Sequence, residues 1–283
     1  MKSKIASVLR VIVCILTVFC IIGAFGVIVA DKVYTAEYFK SQADMTNTYE
    51  NAYNSLMKRF VDNYSISNIP IEIYEKSFTK EWMKASVNEK INSFFENREA
   101  EIDCSEAETN ITVYFEDYAH DAHVIKDETY EKKLAESISY AQKTALNEAD
   151  VYSFDVMKRA GIIAKTSRAM ELVRKYKYAC IIVLVVLIII LILLKRPIYW
   201  IGTALFSAGV LMLIPSAIVK ANSMIQKFSL KDFTTYTLVT GTMESLVGIV
   251  LKTGIIMTAI GVCFITIHFV CDYRGKTARQ TKI

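Results

Sequence analysis

The chain has 283 residues, 53% of them hydrophobic and 22% charged, with a formal net charge of +4. That charge averages two regions of opposite sign: residues 31–177 hold 26 Asp/Glu and 20 Lys/Arg, a net of −6, and the remainder carries +10. The basic excess therefore flanks apolar runs, which is the pattern of membrane topology and excludes the basic face that nucleic-acid binding requires.

Residues 1–10 are short and basic, with Lys2, Lys4 and Arg10. Residues 11–30 follow without a charge and predict a first membrane span. The run is longer than the apolar core of a secretory signal, about 7–15 residues, and Ile28 stands where a cleavage site after Ala30 needs a small residue. An uncleaved signal anchor is the expectation.

Residues 31–177 are polar and about one domain long. Their apolar residues recur at three and four, the spacing of helical faces that pack on partners. Tyr49, Tyr53, Leu56, Phe60 and Tyr64 form one stripe; Met83, Val87, Ile91 and Phe94 a second; Tyr130, Leu134, Ile138, Ala141 and Ala145 a third. Asn68-Ile69-Pro70 separates the first helix from the next. Residues 98–110 are acidic, lack a stripe and read as a loop, and Ile111, Val113 and Phe115 suit either a short strand or a helix start. A last helix is expected from near Val151, running into the second span. Both ends of the domain are then tied to membrane helices and should lie close together.

Residues 178–194 are the second span. All fourteen residues of 181–194 are Ile, Leu or Val, worth about 4–8 kcal/mol in favour of the bilayer. The uncharged run extends about 26 Å, near the ~30 Å of a hydrocarbon core. Residues 195–197, Lys195-Arg196-Pro197, leave room only for a tight turn. Residues 198–219 are the third span, anchored by Tyr199 and Trp200, with a kink expected at Pro215 near its far end. Residues 220–245 read as a loop, 246–271 as the fourth span and 272–283 as a basic tail. Gly248, Gly254 and Gly261 on the fourth span, and Ala204 and Ala208 on the third, predict close helix packing within the bundle or between copies in a homo-oligomer.

Charge bias sets the expected orientation. Lys2, Lys4, Arg10, Lys195, Arg196 and the tail bases Arg274, Lys276, Arg279 and Lys282 face the cytoplasm, and residues 220–245 carry only Lys220, Lys227 and Lys231 outside. The expected architecture is an all-α membrane protein of the plasma membrane. Four transmembrane helices carry a mainly helical extracytoplasmic domain between the first and second, with both termini inside. Cys104 is the one cysteine of residues 31–177, so that domain has no internal disulfide.

Few residues suggest chemistry. Glu116, His120 and His123 lie at i, i+4 and i+7; on a helix they offer a carboxylate and two imidazoles to Zn²⁺ or Mn²⁺. His268 lies in the fourth span, where a neighbouring helix is its expected partner. No Asp or Glu falls in a span core, against what ion-coupled transport needs. The sequence has no glycine-rich phosphate loop, nucleophile elbow or metalloprotease motif, so neither an enzyme nor a cofactor is expected.

The N-terminal anchor, the tyrosines Tyr34, Tyr38, Tyr49 and Tyr53, the segment Phe78-Thr79-Lys80-Glu81-Trp82-Met83-Lys84 and three C-terminal spans together resemble a group of uncharacterised bacterial four-span membrane proteins. That resemblance implies a bacterial envelope location. The layout is also similar to the FtsX/MacB type of ABC permease, which implies a permease or channel subunit; the turn at 195–197 departs from it, being too short for a helix that docks on an ATPase. The expected role is a non-enzymatic envelope protein whose outer domain binds or senses a surface partner. Its partners would be the lipid bilayer and other membrane or envelope proteins.

Overall fold

The computed structural model describes residues 2–64, 68–194, 196–230 and 232–280. Lys195, Lys231 and Lys282 of the expected charge pattern lie outside them. Every regular element among the described residues is a helix. In chain order these are α1 (Lys2–Val33), α2 (Ala36–Met45), α3 (Thr48–Asp62), α4 (Ile71–Ser77), α5 (Lys80–Glu96), α6 (Ser105–Asp121), α7 (Glu128–Ala149), α8 (Phe154–Arg159), α9 (Ile162–Leu193), α10 (Pro197–Ala221) and α11 (Phe233–Gln280). Four of them, α1, α9, α10 and α11, are long and apolar enough to cross a membrane. The chain divides into two compact units.

The apolar unit comprises Met1–Tyr34, Thr166–Phe228 and Thr242–Ile283. Cys14, Val18 and Ile21 on α1 bury themselves against Ala204 and Ala208 on α10. The small side chains let the two helices approach closely without leaving a void. Helix α10 meets α11 through glycines. A Cβ on Gly209 would lie 2.5 Å from the Thr258 backbone nitrogen, one on Gly254 2.9 Å from that of Leu213, and one on Gly261 2.5 Å from that of Phe206. The expected small-residue packing is thus present at Gly254 and Gly261, while Gly248 has nothing within 4 Å. His268 is half-buried and its ring lies 5.6 Å from that of Tyr199 on α10. At the end of α1, the Asp31 carboxylate accepts from Arg174 and Lys177 of α9. Arg196 adopts a left-handed φ of 64°, which turns the chain, and Pro197 opens α10, where its missing N–H costs nothing.

The polar unit comprises Thr35–Lys165 and Ser229–Gly241. Its core gathers Leu56 and Phe60 of α3, Tyr74 of α4, Phe78 at the C-terminal cap of α4, Met83, Val87 and Ile91 of α5, Ile111 of α6, and Ala141 and Ala145 of α7. Leu56, Phe60, Met83, Val87, Ile91, Ala141 and Ala145 belong to the stripes that the spacing predicted; Tyr74, Phe78 and Ile111 do not, and Tyr64, counted in the first stripe, lies beyond α3 and is exposed. Phe60 stacks on Tyr74 with ring centroids 3.8 Å apart. Side chains close the helix starts: Thr79 accepts from the Trp82 N–H, and Asp127 from the Tyr130 N–H.

Three expectations are corrected. The acidic loop over 98–110 is shorter, because α6 starts at Ser105. Ala107, Ile111 and Ala119 form its buried stripe, whereas Val113 is exposed, so the 111/113/115 alternation belongs to a helix and not to a strand. The last helix before the second span does not start near Val151. Ser153 takes a left-handed φ, α8 is a short piece, and Gly161 with φ 67° breaks the chain before α9. From Ile162, α9 then runs into the apolar stretch as expected. Finally, the loop expected over 220–245 ends early. Helix α11 begins at Phe233, and its opening turns join the polar unit, with Leu238 fully buried in that core and Thr234 and Thr240 nearly so.

Candidate functional site

Helix α6 carries the predicted metal ligands. Glu116 and His120 lie one turn apart on it, but the helix ends at Asp121, and His123 takes a left-handed φ of 51° beyond its cap. His123 therefore leaves the helical register that would have aligned it with His120. The Glu116 carboxylate lies 3.9 Å from the Lys126 ammonium, and the His120 Nδ1 lies 3.2 Å from the Asp121 carboxylate. The His120 side chain is 88% exposed. Among the described residues no three His, Cys, Asp or Glu side chains gather where they could hold a metal ion.

The same helix forms one wall of a cleft of about 600 Å³, with α7 as the other wall. Its rings are Tyr114, Phe115 and Tyr118 from α6 and Tyr140 from α7. Its polar groups are Lys133, Glu136 and Ser137 of α7 and Asn68 from the segment before α4. The helical repeat explains the arrangement. Tyr114 and Tyr118 are one turn apart, and Lys133, Ser137 and Tyr140 follow at intervals of four and three, so each helix turns one face to the cleft.

The geometry fixes the inner rings and leaves the outer one free to touch a ligand. The Tyr114 hydroxyl donates to the Asn68 carbonyl at 2.9 Å. Burial pushes the Tyr114 phenol above its ordinary range, and the nearby Tyr64 and Tyr118 hydroxyls add to that. Phe115 lies edge-on to Tyr130, with centroids 6.2 Å apart, and Tyr140 stands edge-on to the core ring of Phe60 at 6.3 Å. Tyr118 is 57% exposed. Glu136 lies 4.0 Å from Lys132 on the solvent side, a pair too open to neutralise it strongly.

A smaller hollow of about 230 Å³ lies between α5 and α8. Two of its cations are engaged: Lys90 donates to Asp155 at 2.8 Å, and Arg98 pairs with Glu89 and Glu96. Cys104 is half-buried, and burial, reinforced by Asp103, pushes its thiol up and away from reactivity.

The aromatic cleft went unnoticed in the sequence because its two walls lie apart in the chain. The signal that could have found it is the spacing of Lys133, Ser137 and Tyr140 together with Tyr114 and Tyr118. Comparison with protein-family models, with curated proteins and with solved structures finds no match.

Proposed function

We propose that this is a multi-pass protein of the plasma membrane whose polar unit lies outside the cell and binds a surface ligand, with both termini in the cytoplasm. The observation that carries the reading is the tyrosine-lined cleft, borne by a unit with its own closed core in a chain with four apolar helices. The charge bias of the flanks supports the orientation. In this reading a signal passes through partner membrane proteins or a second copy of the chain. Two-state movement of one span against the others is a physical route for it.

The test is accessibility labelling in intact cells. Ile125 is 81% exposed in the polar unit, so Ile125→Cys should react with a membrane-impermeant maleimide, and Arg279→Cys should react only after permeabilisation. The reverse pattern would overturn the orientation. Ion current from reconstituted protein, or co-purification of an ATPase, would replace this reading with a permease or channel subunit.

A further inference from the structure

The cleft between α6 and α7 has a lining that narrows its ligand, given the outward orientation proposed above, on which this inference rests. Of its lining residues only Phe115 lacks a hydrogen-bonding group in its side chain. A lipid tail or an apolar helix seated there would strip water from hydroxyl, amide and charged groups and return nothing, at roughly 1–3 kcal/mol for each group left unpaired. Lys133 and Glu136 carry opposite charges, so the cleft offers no field to a polyanion. The tyrosine faces are electron-rich, and their hydroxyls both donate and accept. A complementary ligand has flat C–H faces, many hydroxyls and no net charge, and the volume falls in the range of small-ligand sites, about 300–1,000 Å³. We propose that the cleft binds a neutral oligosaccharide of the cell surface, its sugar rings lying on Tyr118 and Tyr140 and its hydroxyls meeting Ser137, Glu136 and Lys133.

The test uses the full chain in phosphatidylcholine nanodiscs, titrated separately with tetra-N-acetylchitotetraose, cellotetraose and a decaproline peptide and read by saturation-transfer NMR. Saturable binding of at least one of the two saccharides is expected. Tyr118→Ala should weaken it about tenfold, with Tyr118→Phe intermediate because it keeps the ring and loses the hydroxyl. Tyr118 is more than half exposed, so its truncation leaves the core intact, and an unchanged melting curve checks this. Lys58→Ala, on α3 and outside the cleft, should bind as the parent does. The inference is overturned if neither saccharide binds, if Tyr118→Ala and Tyr140→Ala bind them as tightly as the parent, or if decaproline binds and the saccharides do not. The maleimide labelling is read independently: an outer polar unit without saccharide binding removes this inference alone, whereas an inner one removes the receptor reading beneath it.

Discussion

Asp31 and Lys177, 146 residues apart in the chain, meet with the ammonium 2.8 Å from one carboxylate oxygen. Arg174 reaches the other oxygen at 3.2 Å. The polar stretch inserted between the first two apolar helices thus has its ends fastened by its own charges. Asp31 and Lys177 are both about a quarter exposed, so the contact is partly shielded from water.

Truncating either partner should lower the thermal midpoint of the detergent-solubilised protein. Asp31→Ala and Lys177→Ala should be less than additive when combined, because the second change removes a contact that the first has already lost. Strict additivity in a double-mutant cycle would show that the two groups do not interact.

The polar unit depends on its aromatic and aliphatic core. Leu56 is fully buried in it and Phe60 nearly so. Leu56→Ala should cost about 2–5 kcal/mol and Phe60→Ala about 3–5 kcal/mol, as lost transfer energy plus a cavity. Chemical denaturation of the full chain, followed by circular dichroism, measures both.

In the apolar unit, glycine is required at one position and optional at another. At Gly261 any added carbon strikes the backbone of Phe206, which has nowhere to yield, so Gly261→Leu should lower the melting temperature in detergent by several degrees. Gly248→Ala meets open space and should leave it unchanged or raise it slightly. Equal effects at the two sites would contradict the helix register described above.

Two titrations set opposite edges of the stability profile. Arg98 hydrogen-bonds Glu89 and holds its carboxyl below the ordinary range, with a backbone bond from Glu101 adding to this. The folded form then binds fewer protons than the unfolded one, so this contribution is present above pH of about 4.3 and is lost as pH falls toward the folded value. Glu89→Gln should flatten the acid limb of a plot of melting temperature against pH. At the other edge, burial pushes the Tyr49 phenol up to about 12, and its hydroxyl donates to Asn88 at 2.8 Å. Stability should fall as pH rises from about 10 toward that value. The difference in ultraviolet titration between parent and Tyr49→Phe reports the late tyrosinate.

Much of this fold was legible in the sequence wherever bulky apolar residues recur at helical spacing. Met83, Val87 and Ile91 announce α5 and are all fully buried. The start of α6 was hidden because its first buried residue is Ala107, too small to stand out among acids. The opening of α11 was hidden for a related reason. Phe233 to Gly241 is rich in threonine, and Thr237 and Thr240 satisfy their hydroxyls by donating to helix carbonyls one turn back, so polar side chains become compatible with burial. Single residues in the left-handed region, Ser153 and Gly161, broke a helix that periodicity alone would have continued. The candidate metal set failed to assemble at the same kind of point, at His123, where one backbone torsion ends the register.

The glycine seam between α10 and α11 constrains how the apolar unit can move. With Gly209, Gly254 and Gly261 each seated on the facing backbone, sliding one helix past the other by a single residue would drive a side chain into the main chain. These two helices behave as a fixed rail. Helix α9, by contrast, keeps only Leu191 buried along its aliphatic length from Ile181 to Leu193. Of the four apolar helices α9 thus has the fewest seated side chains, and the Asp31 clasp at its polar end is what ties it to α1.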